Sequence, residues 1–259
     1  GNVYGEDALL ADQSLKFRTN LGVDLMFRHN KQFLKNFGDD DGQGAKDDSG
    51  NFIDPGAGRQ NRPNGLNEER GQQTNFTWNN TLAYDKTINQ HQVSALIGSE
   101  YISNKSDAIS ASRRRYDYTM DTFQYIDFGG TSRDLYNGGS GAESSLFSLF
   151  GSATYSYGNR YFVTGNLRAD ASSRFGENHK WGYFPSVSVG WKISQESFMK
   201  NAEWISDLKL RASYGQLGNQ EIGDYTYLTL IRKDGEEYKT DRYGNPDLKW
   251  ETTTQTNIG

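Results

Sequence analysis

Cysteine is absent from the 259-residue chain, which excludes a disulfide framework and any thiolate metal site. Histidine is scarce. His29, His91 and His179 lie far apart and form neither an HExxH motif nor a paired spacing, so no metal centre and no cofactor is implied. Positive charge is not in excess: 28 Lys and Arg stand against 33 Asp and Glu, and a net charge of -5 gives no footing for a nucleic-acid partner. No stretch approaches the ~18 consecutive apolar residues that a spanning helix needs. Gly1 opens the chain without the basic and apolar regions of a secretory leader, so any such leader has been removed or lies outside the sequence.

What the chain has instead is alternation. Tyr161, Val163, Leu167 and Ala169 share one face of an extended run with Gly165, while Thr164, Asn166, Arg168 and Asp170 occupy the other. Val187, Val189, Trp191 and Ile193 oppose Ser186, Ser188, Lys192 and Ser194, and Leu208, Leu210, Ala212 and Tyr214 oppose Lys209, Arg211, Ser213 and Gly215. Side chains alternate faces along a strand, so each run has one apolar and one hydrophilic wall. The expected strands are 15–28, 74–86, 91–104, 144–157, 160–173, 181–194, 206–217 and 249–259. The connections after the second and fourth are short, whereas those after the first, third and seventh are long and rich in Gly, Asp and Asn. Short turns at one end and long loops at the other are the pattern of an antiparallel transmembrane β-barrel of the outer-membrane type.

Composition fits this all-β reading. A mean hydropathy of -0.85 and 34% hydrophobic residues are low for a membrane protein, but half of each barrel strand faces a wet lumen and the loops are polar. Aromatic residues make up 14% of the chain. Tyr155, Tyr157 and Tyr161 cluster at one expected rim and Trp181, Tyr183 and Phe184 at the other, where amphipathic rings meet a bilayer surface. Turning the run from Leu208 to Tyr214 inside out would place Lys209 and Arg211 in hydrocarbon, at roughly 2–4 kcal/mol each near the midplane. The charged faces therefore belong to the lumen, including Arg18, Asp24 and Arg28 opposite Phe17, Leu21, Val23, Leu25 and Phe27.

Few motifs carry chemistry. Gly38 to Gly42 spells GDDDG but lacks the distal Glu of a calcium loop, so a solvated acidic loop is the simpler reading. Ser206 to Lys209 forms SxxK without the companion motifs of an acyl-enzyme, and no enzymatic activity is expected. Arg168, Asp170 and Arg174 form a candidate lumenal charge ladder, paired across neighbouring strands. The candidate contact site is Arg113, Arg114 and Arg115 running into Tyr116 and Tyr118, inside the expected outer loop 107–141. Rings that stack and guanidinium groups that donate paired hydrogen bonds suit a sugar or an anion; the plainer reading is a solvated surface, or contact with lipopolysaccharide phosphates.

The strings NLRADASSRFGENHKWGYFPSVSVGWKISQESF, ISDLKLRASYGQLGNQEIGDY and NPDLKWETTTQTNIG closely resemble the SusC/RagA family of TonB-dependent outer-membrane transporters of Bacteroidetes. LAYDKTINQHQVSALIGSEY, from Leu82 to Tyr101, looks like an upstream barrel hairpin of the same family. The resemblance implies an amino-terminal plug with a TonB-binding peptide, then a barrel of about 22 strands, of which residues 1–259 would be an interior portion without the plug. It further implies a SusD-like surface lipoprotein closing the outer mouth, coupling to the TonB complex through the amino-terminal region, and oligosaccharide or peptide substrates. Two other readings compete: a small outer-membrane barrel of adhesin type, and a soluble all-β carbohydrate-binding module.

Overall fold

The structure, a computed structural model, describes residues 1–34, 64–116, 124–199 and 204–259. Its main feature is a nine-stranded sheet built from β1 (Asn2–Ala8), β2 (Leu15–Leu34), β3 (Gly65–Ile88), β4 (His91–Arg114), β5 (Leu135–Tyr157), β6 (Tyr161–Ser172), β7 (Trp181–Lys192), β8 (Lys209–Asn219) and β11 (Glu251–Ile258), in the order β1-β2-β3-β4-β5-β6-β7-β8-β11. A separate two-stranded hairpin pairs β9 (Leu230–Asp234) with β10 (Glu237–Arg242). Each sheet neighbour is also the next strand in sequence except where the β9–β10 hairpin intervenes. Antiparallel hairpins need only short connections, so this order follows directly from the short turns.

The chain forms two compact units: Gly1–Asp24, Asn75–Asn104 and Glu143–Gly259 in the first, Leu25–Thr74 and Lys105–Ala142 in the second. Strands β2 to β5 contribute to both. They are 20, 24, 24 and 23 residues long, about twice the 9–11 residues that a tilted strand needs to cross a bilayer. Residues 107–114 and 135–141, expected as loop, are therefore strand. So is Asn2–Ala8, an edge strand that pairs with β2 from Asn2↔Gly22 to Ala8↔Lys16.

In the first unit the register assigns every side chain to a face. Ser148↔Asp170, Phe150↔Arg168, Ser152↔Asn166 and Thr154↔Thr164 join β5 to β6 on the polar face. The next strand continues it with Arg168↔Phe184, Asn166↔Ser186 and Thr164↔Ser188. Leu149↔Ala169, Tyr155↔Val163 and Val163↔Val189 lie on the apolar face. Burial is inverted relative to a water-soluble protein: Ser148 is 0% and Asp170 6% exposed, whereas Leu167 is 54%, Val189 49% and Leu210 49% exposed. A soluble sandwich would bury the apolar face against a second sheet. This wall presents its apolar face outward, as a transmembrane barrel does.

One rim of the first unit is closed by tight connections. Gly158 and Asn159 both have positive φ, at 59° and 54°, and Arg160 N donates to Tyr157 O at 3.0 Å, which is the geometry of a type I′ turn. Neighbouring turns are tied together: Gly158 N donates to Gln90 O at 2.8 Å, Asp85 N to Ser14 O at 2.8 Å, and Lys86 pairs with Asp12. The Lys86 ammonium most of all, then the Ser14 hydroxyl and backbone N–H, hold the Asp12 carboxyl far below the usual carboxylate range.

Candidate functional site

The polar wall of the first unit carries uncharged hydrogen-bonding groups in rows. Thr154, Thr164, Ser188, Ser213 and Asn257 are successive register partners across β5, β6, β7, β8 and β11. Thr154 Oγ1 and Thr164 Oγ1 are 3.0 Å apart, and in the next row Asn166 Nδ2 donates to Ser186 Oγ at 2.9 Å. Two grooves of about 680 and 490 Å3 lie over these rows. Lys209 and Arg211 line the first groove, and Lys209 Nζ sits 4.7 Å from the Phe162 ring centroid. Hydroxyls, amides and cations along a groove suit a polar, hydrated cargo or a polar protein surface.

Arg168 is the hub of the charged part of this wall. Its Nε donates to Asp170 Oδ1 and Oδ2 at 2.8 and 2.9 Å, and its Nη2 donates to Ser148 Oγ at 2.8 Å and Glu100 Oε1 at 3.4 Å. Arg168 and Asp170 of the expected ladder do pair, but along one strand, β6, and not across neighbouring strands; Glu100, two strands away on β4, is a further member. Arg174 is not part of it: the chain has left β6, and Arg174 Nε donates to Asp224 Oδ1 at 2.8 Å and Nη1 to Gln220 O at 3.3 Å.

A second departure concerns Phe184. Trp181 and Tyr183 lie on the apolar face, 45% and 63% exposed, as expected of rim aromatics. Phe184 points the other way, is 8% exposed, and packs edge-on to Trp250 at 5.3 Å, while Phe175 tilts against Trp250 at 5.1 Å and is 1% exposed. Gly182 and Gly218 make room for the Phe184 ring; a Cβ on Gly182 would fall 2.5 Å from Phe184 Cζ, and one on Gly218 would collide with it. Trp250 Nε1 donates to Lys180 O at 2.9 Å. The cluster fastens the start of β11 to the β6–β7 connection on the lumenal side.

The candidate contact residues fall in the second unit, and the structure brings four of them together. Arg113 and Arg114 end β4, and Arg115 follows with a positive φ of 61°. Arg113 Nη1 donates to Asp127 O at 2.9 Å, Arg114 lies over the Tyr136 ring at 5.4 Å, and Arg115 Nη1 donates to the buried Asp134 Oδ1 at 2.6 Å. Tyr116 is buried, not presented: Asn64 accepts from its backbone N at 2.8 Å and donates to its O at 2.7 Å, and its ring meets Phe33 edge-on at 5.5 Å. Burial pushes its hydroxyl pKa up. Tyr118 lies outside the described residues, as does the GDDDG stretch. Replacing Arg115, itself 60% exposed, with alanine leaves the buried Asp134 carboxylate without this partner, and a loss of about 1–2 kcal/mol in equilibrium unfolding is expected.

Sequence reasoning missed the β9–β10 hairpin, in which Lys239 Nζ pairs with Asp234 Oδ2 at 2.8 Å and Arg232 Nε with Asp241 Oδ1 at 3.5 Å. The register places Ile231 with Thr240 and Lys233 with Tyr238 on its other face, where Ile231 is 67% and Tyr238 72% exposed. The Asp234–Gly235 dipeptide is the signal that could have found it. Among the described residues no group of three or more His, Asp or Glu is placed to hold a metal ion.

An antiparallel wall with an apolar outer face, a polar opposite face, tight turns at one rim and strands that outrun the bilayer defines a piece of a large transmembrane β-barrel. Residues 2–259 match the family described as TonB dependent receptor-like, beta-barrel, and the chain belongs to that family. A TonB-dependent receptor of Formosa agariphila is 35% identical over 200 residues, covering 71% of this chain and 18% of its own length. The TonB-dependent receptor SusC of Bacteroides thetaiotaomicron is 44% identical over 128 residues, covering 45% of this chain and 13% of its own. The RagAB peptide importer in its closed-closed state aligns over 99% of this chain and 27% of its own, with a TM-score of 0.81 and 26% identity. The chain thus spans under a third of the proteins it matches.

Proposed function

We propose that the protein is an outer-membrane importer of the SusC/RagA type, to which this chain contributes wall and outer loops. The observation that carries the proposal is the inverted wall, with lipid-compatible side chains outside and rows of hydroxyl and amide groups inside. Its likeness to SusC and to the RagAB importer supports the transport role. On this reading a SusD-like lipoprotein caps the outer mouth, TonB supplies energy through a plug domain, and the cargo is an oligosaccharide or a peptide. The rim of tight turns is periplasmic, and the second unit and the β9–β10 hairpin are extracellular.

Arg113, Arg114, Arg115, Tyr116 and Tyr118 remain our proposed contact cluster, with Arg114 over Tyr136 as its presenting member. The internal bonds of Arg113, Arg115 and Tyr116 shape the platform. The test is uptake of labelled oligosaccharide and peptide pools by cells carrying the intact gene, a deletion, or Arg114→Ala. Deletion is expected to abolish uptake of one pool, and a protonophore to do the same. Arg114→Ala should lower capture several-fold at limiting substrate with unchanged outer-membrane levels. Uptake that survives both deletion and protonophore would overturn the transport role.

Orientation is checked separately. A maleimide that does not cross the outer membrane should label Tyr238→Cys in intact cells and Asn159→Cys only after permeabilisation. The reverse pattern would invert the topology.

A further inference from the structure

The β7–β8 connection behaves unlike the other turns at its rim. Instead of closing tightly it runs from Ile193 to Leu208, and its first part forms two short 3-10 turns, Ile193–Gln195 and Ser197–Met199. Between them lies Glu196, only 7% exposed. Its carboxylate accepts from Tyr161 OH at 2.6 Å and Trp191 Nε1 at 3.0 Å through Oε1, and from Arg160 Nη1 at 3.0 Å through Oε2.

Tyr161 and Trp191 are direct register partners, and both belong to the apolar face of the wall. A carboxylate that bonds the polar atoms of both rings has to lie over that face, so Glu196 draws the first part of the connection over the rim, while Asp207, near its end, returns to Lys192 and Ser194 at 3.6 and 3.1 Å. Among the polar groups that the connection exposes, Gln195, Ser197, Ser206 and Asp207, stand two large aromatic ones: Phe198 is 65% exposed, and Trp204, further along, 85%. Tyr155 and Tyr161, 40% and 42% exposed, continue the same aromatic rim. Large apolar side chains standing in water beside a lipid-facing wall cost free energy that insertion at the headgroup boundary recovers, and Trp and Phe on an amphipathic segment are what such a boundary selects.

We infer that the connection around Glu196 is a membrane anchor, with Phe198 and Trp204 seated at the headgroup–acyl boundary of the leaflet at the tight-turn rim and Glu196 as the residue that positions it. The occupant is phospholipid. The inference rests on the barrel reading of the wall, and it adds a contact outside the strands that resists tilting and vertical slippage of the wall in the bilayer.

The test uses the whole protein reconstituted in phosphatidylethanolamine–phosphatidylglycerol vesicles. A bimane label is placed on Phe198→Cys, Trp204→Cys, Val187→Cys or Ser188→Cys in turn; residues 1–259 hold no cysteine, and any elsewhere in the protein is first replaced by serine. Phospholipid brominated near the middle of its acyl chains should lower bimane emission at least twofold at 187, 198 and 204 and leave 188 unchanged. Quenching at 187 without quenching at 198 and 204 would overturn the anchor and leave the barrel standing. Absence of quenching at 187 would overturn the barrel reading itself. Protection of 198 and 204 from aqueous iodide without lipid quenching would assign the surface to a protein contact and reject the anchor. Adding Glu196→Ala should at least halve the lipid quenching at 198, whereas Glu196→Gln, which keeps an acceptor for Tyr161 and Trp191, should preserve most of it; equal quenching in both would remove the positioning role.

Discussion

Replacing Val187 with arginine is expected to destabilise the barrel by about 2–4 kcal/mol, while the same replacement one residue on, at Ser188, is expected to cost less than about 1 kcal/mol. Val187 lies in the middle of β7 on the apolar face, opposite Gly165 and Tyr214, and an arginine there would meet hydrocarbon on every side but the wall. Ser188 sits between Thr164 and Ser213 above a groove that already accommodates Lys209 and Arg211. The measurement is equilibrium folding of the protein into lipid vesicles, with tryptophan emission as the readout. The sign of the difference is the prediction: if Ser188→Arg were the more damaging, the assignment of faces would be reversed.

Phe184→Ala is expected to cost about 3–5 kcal/mol, the range for removing a buried aromatic side chain. The ring fills the space over Gly182 and Gly218 and supports Trp250, so its loss opens a void that the glycine backbones cannot close. The neighbouring Tyr183, which faces outward, should lose much less on truncation. A Gly218→Val variant probes the same fit from below: the added side chain collides with the Phe184 ring, and overpacking of this kind typically costs about 1–3 kcal/mol. Protease nicking of the Asn219–Trp250 segment in the folded protein should rise in both variants and stay at parental levels in Tyr183→Ala. Parental nicking in all three would mean that the cluster does not fasten the segment.

Acid should loosen the hold of Glu196 on the rim. The Tyr161 hydroxyl, then the Trp191 indole and the Arg160 guanidinium, hold the Glu196 pKa below its ordinary value. A carboxyl whose folded pKa is depressed stabilises the fold above the unfolded value, near 4.3, and loses that contribution as pH falls through the lower folded value. Lipid quenching at position 198 should therefore be flat from neutrality to about pH 5 and fall below about pH 4 only to the level of Glu196→Gln, because a protonated carboxyl keeps the acceptor that glutamine keeps. In Glu196→Gln, which has no proton to gain, it should be flat throughout.

The strands most legible in the sequence were those with one face in lipid and one in the lumen. In β6, β7 and the part of β8 up to Tyr214 every second residue is apolar or glycine, and the register confirms the faces there. The outer halves of β3 and β5 were read as loop because they carry no such contrast. Glu68, Glu69, Arg70, Gln72 and Gln73, and the run Asn137 to Gly141, are polar or small at consecutive positions, as a strand with water on both sides allows. The same reason hides β9 and β10. Phe184 was misplaced because alternation was overlooked at a strand start, where three aromatics lie within four residues. The Arg113–Arg115 run is recognisable as a feature, but its bonds to the Asp127 backbone oxygen and the Asp134 carboxylate span 14 and 19 positions, which no local pattern encodes.

The strand order has an evolutionary consequence. Because β8 pairs with β11 directly, from Ala212↔Ile258 to Asn219↔Glu251, the intervening 31 residues from Gln220 to Trp250 are excluded from the wall's hydrogen-bonding ladder. Lengthening such an excursion alters no register and adds only a slowly growing closure entropy, about 0.6 kcal/mol for each doubling of a flexible loop. Shortening a tight turn at the opposite rim would instead shift a whole strand and exchange its two faces. Sequence can drift on one side of the barrel almost without structural penalty and is held fixed on the other, so a lineage can acquire new ligands by rewriting its outer excursions while inheriting the same wall.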